Sequence, residues 1–168
     1  MRCHLQNLQM CDTICPNFEN KIEMKSQEMW IVKRDYADEL KFKRYSKKHR
    51  NETVACFANL QRLLDALCNG LTLQQAVGGL GFIKSENEDV YRIAQSGVAH
   101  AKETRLYVYI KVSGYDIQVL TIGDKSSQSK DIRWCKSIVR DLKKQEKQRN
   151  EQKTPPIEGG QSGGKNEN

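Results

Sequence analysis

The spacing of apolar residues changes once along the chain, and this change constrains the fold more than any other feature. Between Asn51 and Leu67 apolar residues recur every three or four positions, which is the repeat of an amphipathic helix. Between Arg105 and Val112 they alternate with polar or aromatic residues, which is the repeat of a strand with two different faces. A chain that carries both repeats in separate segments is expected to belong to the α+β class.

Shorter patterns complete the predicted order of elements. Strands are predicted at 29–34, 90–94, 105–112 and 116–122, and helices from 35 into the forties, at 51–67 and from about 129 onward. Asp35 is the expected cap of the first helix, and Asn69-Gly70 is expected to end the second. Residues 71–83 predict a short helix followed by a loop. We therefore expect the order β-α-α-β-β-β-α, with a small antiparallel sheet packed against a helical hairpin and a C-terminal helix.

The same patterns predict which side chains are buried. In the second helix the buried stripe is expected to be Val54, Phe57, Leu60, Leu64 and Leu67. In the strand at 105–112, Arg105 and Tyr107 lie on the face opposite Leu106 and Val108, so the arginine is expected to point away from the main core. In the last strand Ile117, Val119 and Thr121 are expected to share a face. The cysteines expected to be small core residues are Cys56, Cys68 and Cys135.

Composition divides the chain into three parts. Residues 1–28 lack a regular pattern and are expected to be a poorly ordered leader, with Met24 or Met29 as an alternative start. Residues 146–168 are expected to be a disordered tail because they hold little apolar surface to bury. The chain carries +7, of which the leader contributes −1 and the tail 0, so the domain at 29–145 carries +8. This charge favours an acidic partner such as nucleic acid.

Other classes of function lack their motifs. The uncharged run at 66–83 is too polar to span a membrane and the N-terminal stretch lacks a secretory signal, so a cytoplasmic protein with reduced cysteines is expected. The glycines at 78–81 form neither a phosphate loop nor a dinucleotide motif, so no cofactor is expected. No metal site is expected either, because a second ligand pair at zinc spacing is missing near Cys3, Cys11 and Cys15.

Two groups of cations could bind phosphate. Eight lysines and arginines lie within 33–50, and they form either a phosphate-binding surface or a solvated helix face. The second group is spread over the strand segment and consists of Arg92, Lys102, Arg105 and Lys125. Antiparallel pairing can bring such residues onto one face of a sheet. The alternative is that they are exposed strand charges that discourage edge-to-edge pairing.

Three short motifs resemble the RelE/ParE superfamily of toxins from type II toxin–antitoxin systems. They are a Tyr-basic-aliphatic strand at Val90–Ile93, an aromatic strand that begins with an arginine at Arg105–Tyr109, and a hydrophobic strand that ends in Gly-Asp-Lys at Val119–Lys125. The last motif is most similar to the HigB-like branch. The resemblance covers about residues 29–145 and implies the fold described above.

The resemblance also implies a function. Ribosome-dependent members of the family cleave mRNA and are neutralised by a cognate antitoxin protein, so mRNA, the ribosome and an antitoxin are the implied partners. By the same resemblance Arg105 would hold the phosphate, Lys125 would stabilise charge in the transition state, and Arg92 falls at the basic position after the tyrosine of its strand. Arg92 and Lys102 are the candidate substrate-binding residues. His100 lies in the connection between two strands and is the candidate general base.

Two other functions stay open. The chain could be a non-enzymatic toxin-fold protein, either a gyrase inhibitor or an inactive relative that binds a partner. It could also be a basic nucleic-acid-binding module unrelated to toxins. The lack of a clear acid–base pair favours the non-enzymatic protein, whereas Arg92, Arg105 and Lys125 together favour the nuclease.

Overall fold

A computed structural model describes residues 30–98 and 101–153 of the chain. In this part of the chain five strands form one sheet, in the order β1-β5-β4-β3-β2, and four α-helices pack on its two faces. The strands are β1 (Ile31–Lys33), β2 (Ile83–Ser85), β3 (Val90–Ala94), β4 (Thr104–Lys111) and β5 (Asp116–Asp124). The helices are α1 (Glu39–Lys48), α2 (Arg50–Cys68), α3 (Leu73–Gly79) and α4 (Gln128–Lys153). The predicted α+β class is confirmed.

The sheet differs from the predicted one in two ways. Strand β1 runs parallel to β5, with Val32 opposite Ile117, whereas the other pairs are antiparallel as predicted. Parallel partners need a long connection, and here the whole segment between β1 and β5 supplies it. Strand β2 was not predicted, because three residues are too few to show an alternation. It lies at the edge of the sheet, where Lys84 pairs with Arg92 of β3.

Helices α1, α2 and α3 cover one face of the sheet, which we call the hairpin face. Helix α2 buries a stripe made of Cys56, Leu60, Leu63 and Leu67. These residues pack against β-strand side chains that include Leu106, Val108, Ile110 and Ile117. The prediction was wrong at Val54, which is 61% exposed, because this residue lies on the opposite side of the helix from Cys56.

The ends of the first two helices show which capping predictions hold. Helix α1 begins later than predicted, because Asp38 and not Asp35 accepts the hydrogen bond of the Lys41 amide, at 3.0 Å. The residues between β1 and Asp38 form a turn in which the Ala37 amide donates to the Arg34 carbonyl. Helix α2 ends at Cys68 with Asn69 as its C-cap, as predicted, and Gly70 follows with φ +90°, a conformation that favours glycine.

Helix α4 covers the opposite face of the sheet, which we call the α4 face. Its core contains Tyr107, Tyr109, Leu120, Cys135 and Val139. A β-bulge at Leu120 lets Tyr107 pair with Thr121 and Val108 with Val119. The bulge therefore places Ile122, and not Thr121 as predicted, on the face of Ile117 and Val119.

The described helix α4 continues to Lys153, past the predicted end of the domain at Gln145. Its last turns are composed mostly of Lys, Gln, Glu and Arg, which are strong helix formers, so this segment needs no apolar stripe to remain helical. The predicted leader at 1–28 and the rest of the predicted tail lie outside the described residues. Over 30–98 and 101–153, no helix combines the length and the apolar character that a membrane crossing requires.

Candidate functional site

Two of the predicted site residues lie on the α4 face of neighbouring strands. Arg92 of β3 pairs with Tyr107, and Arg105 of β4 pairs with Ala94. Because paired residues of antiparallel strands point to the same side, Arg92 shares its face with Tyr107 and therefore with Arg105, two positions away along β4. The sheet register thus brings the two arginines together from 13 positions apart in the sequence.

Both arginines line an open groove of about 320 Å³ at the end of the sheet. Its other polar lining residues are Lys84, Gln95, Glu103 and Thr104. The groove therefore combines three cationic side chains with one carboxylate and one amide. This composition is typical of a site for an anionic ligand such as a phosphate group.

Arg105 is the most buried cation of the groove, with 10% of its side chain exposed. Its Nη2 atom donates to Glu103 Oε2 at 2.9 Å, whereas its Nη1 atom is buried and has no hydrogen-bond partner in the described part of the chain. A buried donor without a partner is unfavourable, so an anionic ligand at this nitrogen would gain a charge-assisted hydrogen bond. Gln95 Oε1 is a second buried polar atom of the groove without a partner among residues 30–98 and 101–153.

Each arginine of the groove also has an internal carboxylate partner. Arg92 Nε lies 3.1 Å from Glu86 Oε1, and both side chains are mostly buried. Glu103 differs from Glu86 because 64% of its side chain is exposed, so it can turn away from Arg105 at little cost. An exposed carboxylate beside a buried arginine can act as a base, or it can occupy the position that an anionic ligand would take.

Lys102 does not join the groove. Its Nζ atom lies 2.6 Å from Asp124 Oδ2 at the end of β5. Asp124 pairs with Thr104, whose hydroxyl hydrogen-bonds to Tyr45 of α1, so this ion pair lies toward the hairpin face and not the α4 face. Lys102 and the Ser126 hydroxyl hold the pKa of Asp124 well below its usual range. The lysine therefore has a structural partner that holds the start of α4.

The two other predicted site residues have different outcomes. Lys125 is exposed in the turn before α4 and takes part in no ion pair among the described residues. His100, the candidate general base, lies outside the described residues. The register therefore brings Arg92 and Arg105 together, and neither Lys102 nor Lys125 lines their groove.

Sequence reasoning missed Glu103 and Lys84 of the groove, and also Glu86, the partner of Arg92. Glu103 lies two positions before Arg105, a spacing that places both side chains on one side of an extended chain, so it could have been found. Glu86 and Lys84 could not have been placed, because β2 has no recognisable pattern. Tyr107, between the two arginines, is fully buried, and burial raises the pKa of its hydroxyl above its usual range.

The described residues outside the groove were also candidates for a cysteine nucleophile or a metal site. Cys56 and Cys135 are fully buried core residues as predicted, and burial raises the pKa of each thiol to about 12. Residues 30–98 and 101–153 contain no group of three or more His, Cys, Asp or Glu side chains that could hold a metal ion. The leader cysteines Cys3, Cys11 and Cys15 lie outside these ranges.

Comparison with protein-family models, with curated proteins and with solved structures finds no match to this chain.

Proposed function

We propose that the chain is a toxin-like endoribonuclease of a type II toxin–antitoxin system, which binds RNA in the groove and cleaves it. The observation that carries this proposal is the buried, unpartnered Nη1 donor of Arg105 beside Arg92 in an open, cationic groove. The resemblance of the three strand motifs to RelE/ParE toxins supports the choice of RNA as the ligand. mRNA at the ribosome is the proposed substrate, with a cognate antitoxin as protein partner, in the cytoplasm.

The groove contains the groups that RNA cleavage by an internal hydroxyl requires. The ribose 2′-oxygen attacks the neighbouring phosphorus, the bond from phosphorus to the 5′-oxygen breaks, and a 2′,3′-cyclic phosphate and a 5′-hydroxyl are formed. Arg105 and Arg92 bind the non-bridging oxygens and stabilise the charge of the transition state. Glu103 swings from Arg105 to take the proton of the 2′-hydroxyl. Lys84 neutralises the charge on the departing 5′-oxygen, which takes its proton from water.

Full-length protein expressed from an inducible promoter tests the proposal, with mRNA ends mapped before and after induction. We expect new ends that depend on Arg105, because removal of one donor to developing charge typically lowers turnover about 10²–10³-fold. Arg105→Gln and Glu103→Gln should each remove the new ends. Arg133→Gln, an exposed arginine of α4 outside the groove, is the matched control and should leave them in place. Growth arrest without new ends, or new ends that persist in Arg105→Gln, would contradict the proposal.

A non-enzymatic toxin-fold protein is the second candidate, and a specific observation favours it. Both groove arginines already have carboxylate partners, Glu86 and Glu103, so the charge of each arginine is neutralised at rest. Such a protein would bind its partner without cleaving RNA. Arrest of growth with unchanged mRNA ends, lost in Arg105→Gln, is the outcome that this candidate predicts.

A further inference from the structure

Helix α1 carries an exposed row of cations on the side that faces away from the core. Phe42 and Tyr45 pack toward the sheet, whereas the exposed side presents what we call the α1 basic face: Lys43, Arg44, Lys47 and Lys48. Residues four apart on a helix are neighbours, so 43 and 47 form one row and 44 and 48 form a second row beside it. Each row spans about 6 Å along the helix axis.

The α1 basic face differs from the cations of α4 that contact the turn between β2 and β3. None of its four side chains takes part in an ion pair with any described residue. On α4, by contrast, Arg140 Nε lies 2.8 Å from Glu88 and Lys143 Nζ lies 2.6 Å from Asp89. Arg140 and Lys143 therefore help to hold the turn between β2 and β3, whereas the four side chains of the α1 basic face form no ion pair with a described residue.

The fold gains little from this arrangement. Like charges four residues apart on a helix repel each other, so both rows of the α1 basic face are locally unfavourable. The helix dipole stabilises cations in the last turn, which accounts for Lys47 and Lys48 but not for Lys43 and Arg44. A repulsive, unpaired surface that the fold does not require indicates an external anion.

Helix α1 contacts the same end of the sheet as the groove. Tyr45, on the buried side of the same helix, hydrogen-bonds to Thr104 at 2.9 Å, and Thr104 lines the groove next to Arg105. A nucleic-acid strand that places one phosphate at Arg105 and leaves the groove on the side of Thr104 therefore runs toward α1. Lysine-rich surfaces suit a phosphate backbone better than a protein, because protein interfaces are depleted in lysine and anchored by aromatic side chains.

We propose that the α1 basic face binds the backbone phosphates of the RNA strand that flank the phosphate held in the groove. This inference rests on the proposed function for the identity of the strand in the groove. It adds a second, sequence-independent contact surface made only of α1 side chains. Binding to this surface is electrostatic, so it strengthens as salt is lowered.

The test measures the affinity of the full chain for a short single-stranded RNA with 2′-O-methyl riboses, which binds but cannot be cleaved. Affinity is measured as a function of salt, since the slope of log K against log salt counts the neutralised phosphates, at about 0.7 each for single strands. In the variant K43Q/R44Q/K47Q/K48Q we expect the slope to fall by about 2–3 and binding at about 0.1 M salt to weaken roughly 100-fold. Circular dichroism checks that the helices are retained.

The matched control removes the same charge from the exposed end of α4, as K144Q/K147Q/R149Q/K153Q. This end lies near Lys111, whose Nζ is 2.7 Å from Glu146, at the opposite end of β4 from Arg105. The control should keep the wild-type slope. An α1 variant with a wild-type slope, or a control that lowers the slope equally, would overturn the inference.

Two further outcomes separate the inference from the proposed function. If Arg92→Gln and Arg105→Gln abolish mRNA cleavage while the α1 variant binds RNA as the wild type does, the inference fails and the proposed function stands. If the α1 variant loses RNA binding while the groove variants neither bind nor cleave differently from the wild type, the groove fails as the RNA site. Polyglutamate that displaces the RNA at equal concentration of charge would instead identify an acidic protein as the occupant and overturn the choice of RNA.

Discussion

The two faces of the sheet treat their polar groups differently. On the hairpin face buried polar side chains have partners: Tyr45 hydrogen-bonds to Thr104, and Asn59 Nδ2 donates to the Ala94 carbonyl at 2.7 Å. On the α4 face several buried polar atoms have no partner among the described residues, namely Arg105 Nη1, Tyr107 OH, Gln118 Oε1 and Thr121 Oγ1. Unpaired buried polar groups are unfavourable. The unpaired groups of the α4 face therefore lower the stability of the fold, whereas the paired groups of the hairpin face do not.

This difference indicates how one small domain can be both stable and functional. The hairpin face is covered by three helices and holds the larger apolar cluster, which includes Leu63, Leu106 and Val108. The α4 face is covered by a single helix and ends in the groove with Arg92 and Arg105. Of the unpaired polar atoms on this face, Arg105 Nη1 belongs to a residue that lines the groove, so the proposed site lies on the face with the smaller core.

The largest expected loss of stability comes from adding a side chain at Gly123, which pairs with Arg105 on the α4 face. A Cβ at this position would lie 2.2 Å from Asp131 Oδ2 and 2.5 Å from Ser127 Oγ, so the polar network around Asp131 would have to move. Lys41 of α1 also reaches this carboxylate. We expect Gly123→Ala to lower the free energy of unfolding by about 1–3 kcal/mol, measured by urea denaturation.

Gly78 of α3 provides the matched control for this substitution. A Cβ there meets no atom within 4 Å, and alanine is the better helix former, so Gly78→Ala should be neutral or stabilise by up to about 1 kcal/mol. Equal effects at the two glycines would show that the space around Gly123 is not filled as described. In that case the polar network around Asp131 on the α4 face would not be packed against Gly123.

The sequence predicted most of the elements because their apolar spacing is strong. The stripe of α2 and the alternation of β4 are long enough to show a repeat, and the separation of Arg105 from Leu106 onto opposite faces followed directly from it. The features that the sequence could not show are those that depend on how the strands pair. Strand β2 is too short to be recognised, and the bulge at Leu120 shifts Thr121 to the α4 face without any local signal.

The candidate site was predictable only in part for the same reason. Arg92 and Arg105 were placed on strands that pair, so their proximity followed from antiparallel pairing. Lys102 was predicted as a substrate ligand, but its distance to Asp124 is decided by the loop before β4, which no repeat describes. The side of the sheet on which a charged residue of a loop lies cannot be read from spacing alone.

A smaller effect is expected when one hydroxyl is removed from each face. Tyr45→Phe breaks the hydrogen bond to Thr104 on the hairpin face and should lower the free energy of unfolding by about 0.5–1.5 kcal/mol. Tyr107→Phe removes a fully buried hydroxyl without a described partner on the α4 face, so it should be neutral or slightly stabilising. Urea denaturation of both variants measures the difference. If Tyr107→Phe proves the more destabilising of the two, the α4 face is as well satisfied as the hairpin face and the contrast between them is wrong.

The smallest effect concerns pH and tests whether the charged group at the end of the hairpin face is paired in solution. Asp124 accepts hydrogen bonds from Lys102 and Ser126, which hold its pKa below the value of about 4 expected in the unfolded chain. A carboxyl whose pKa is lowered by folding adds stability that is fully present above the unfolded pKa and is lost as the pH falls through the folded pKa. We therefore expect the wild type to lose stability as the pH drops from about 4 toward 2, and Asp124→Asn to lose less over that interval, in thermal denaturation followed at each pH.

Asp65→Asn is the control, because Asp65 is only a partner of Gln61 on the exposed side of α2, and it should reproduce the wild-type curve. Parallel curves for wild type and Asp124→Asn would mean that the ion pair with Lys102 does not form in solution, and Lys102 would then be free to act at the groove as its sequence position first indicated.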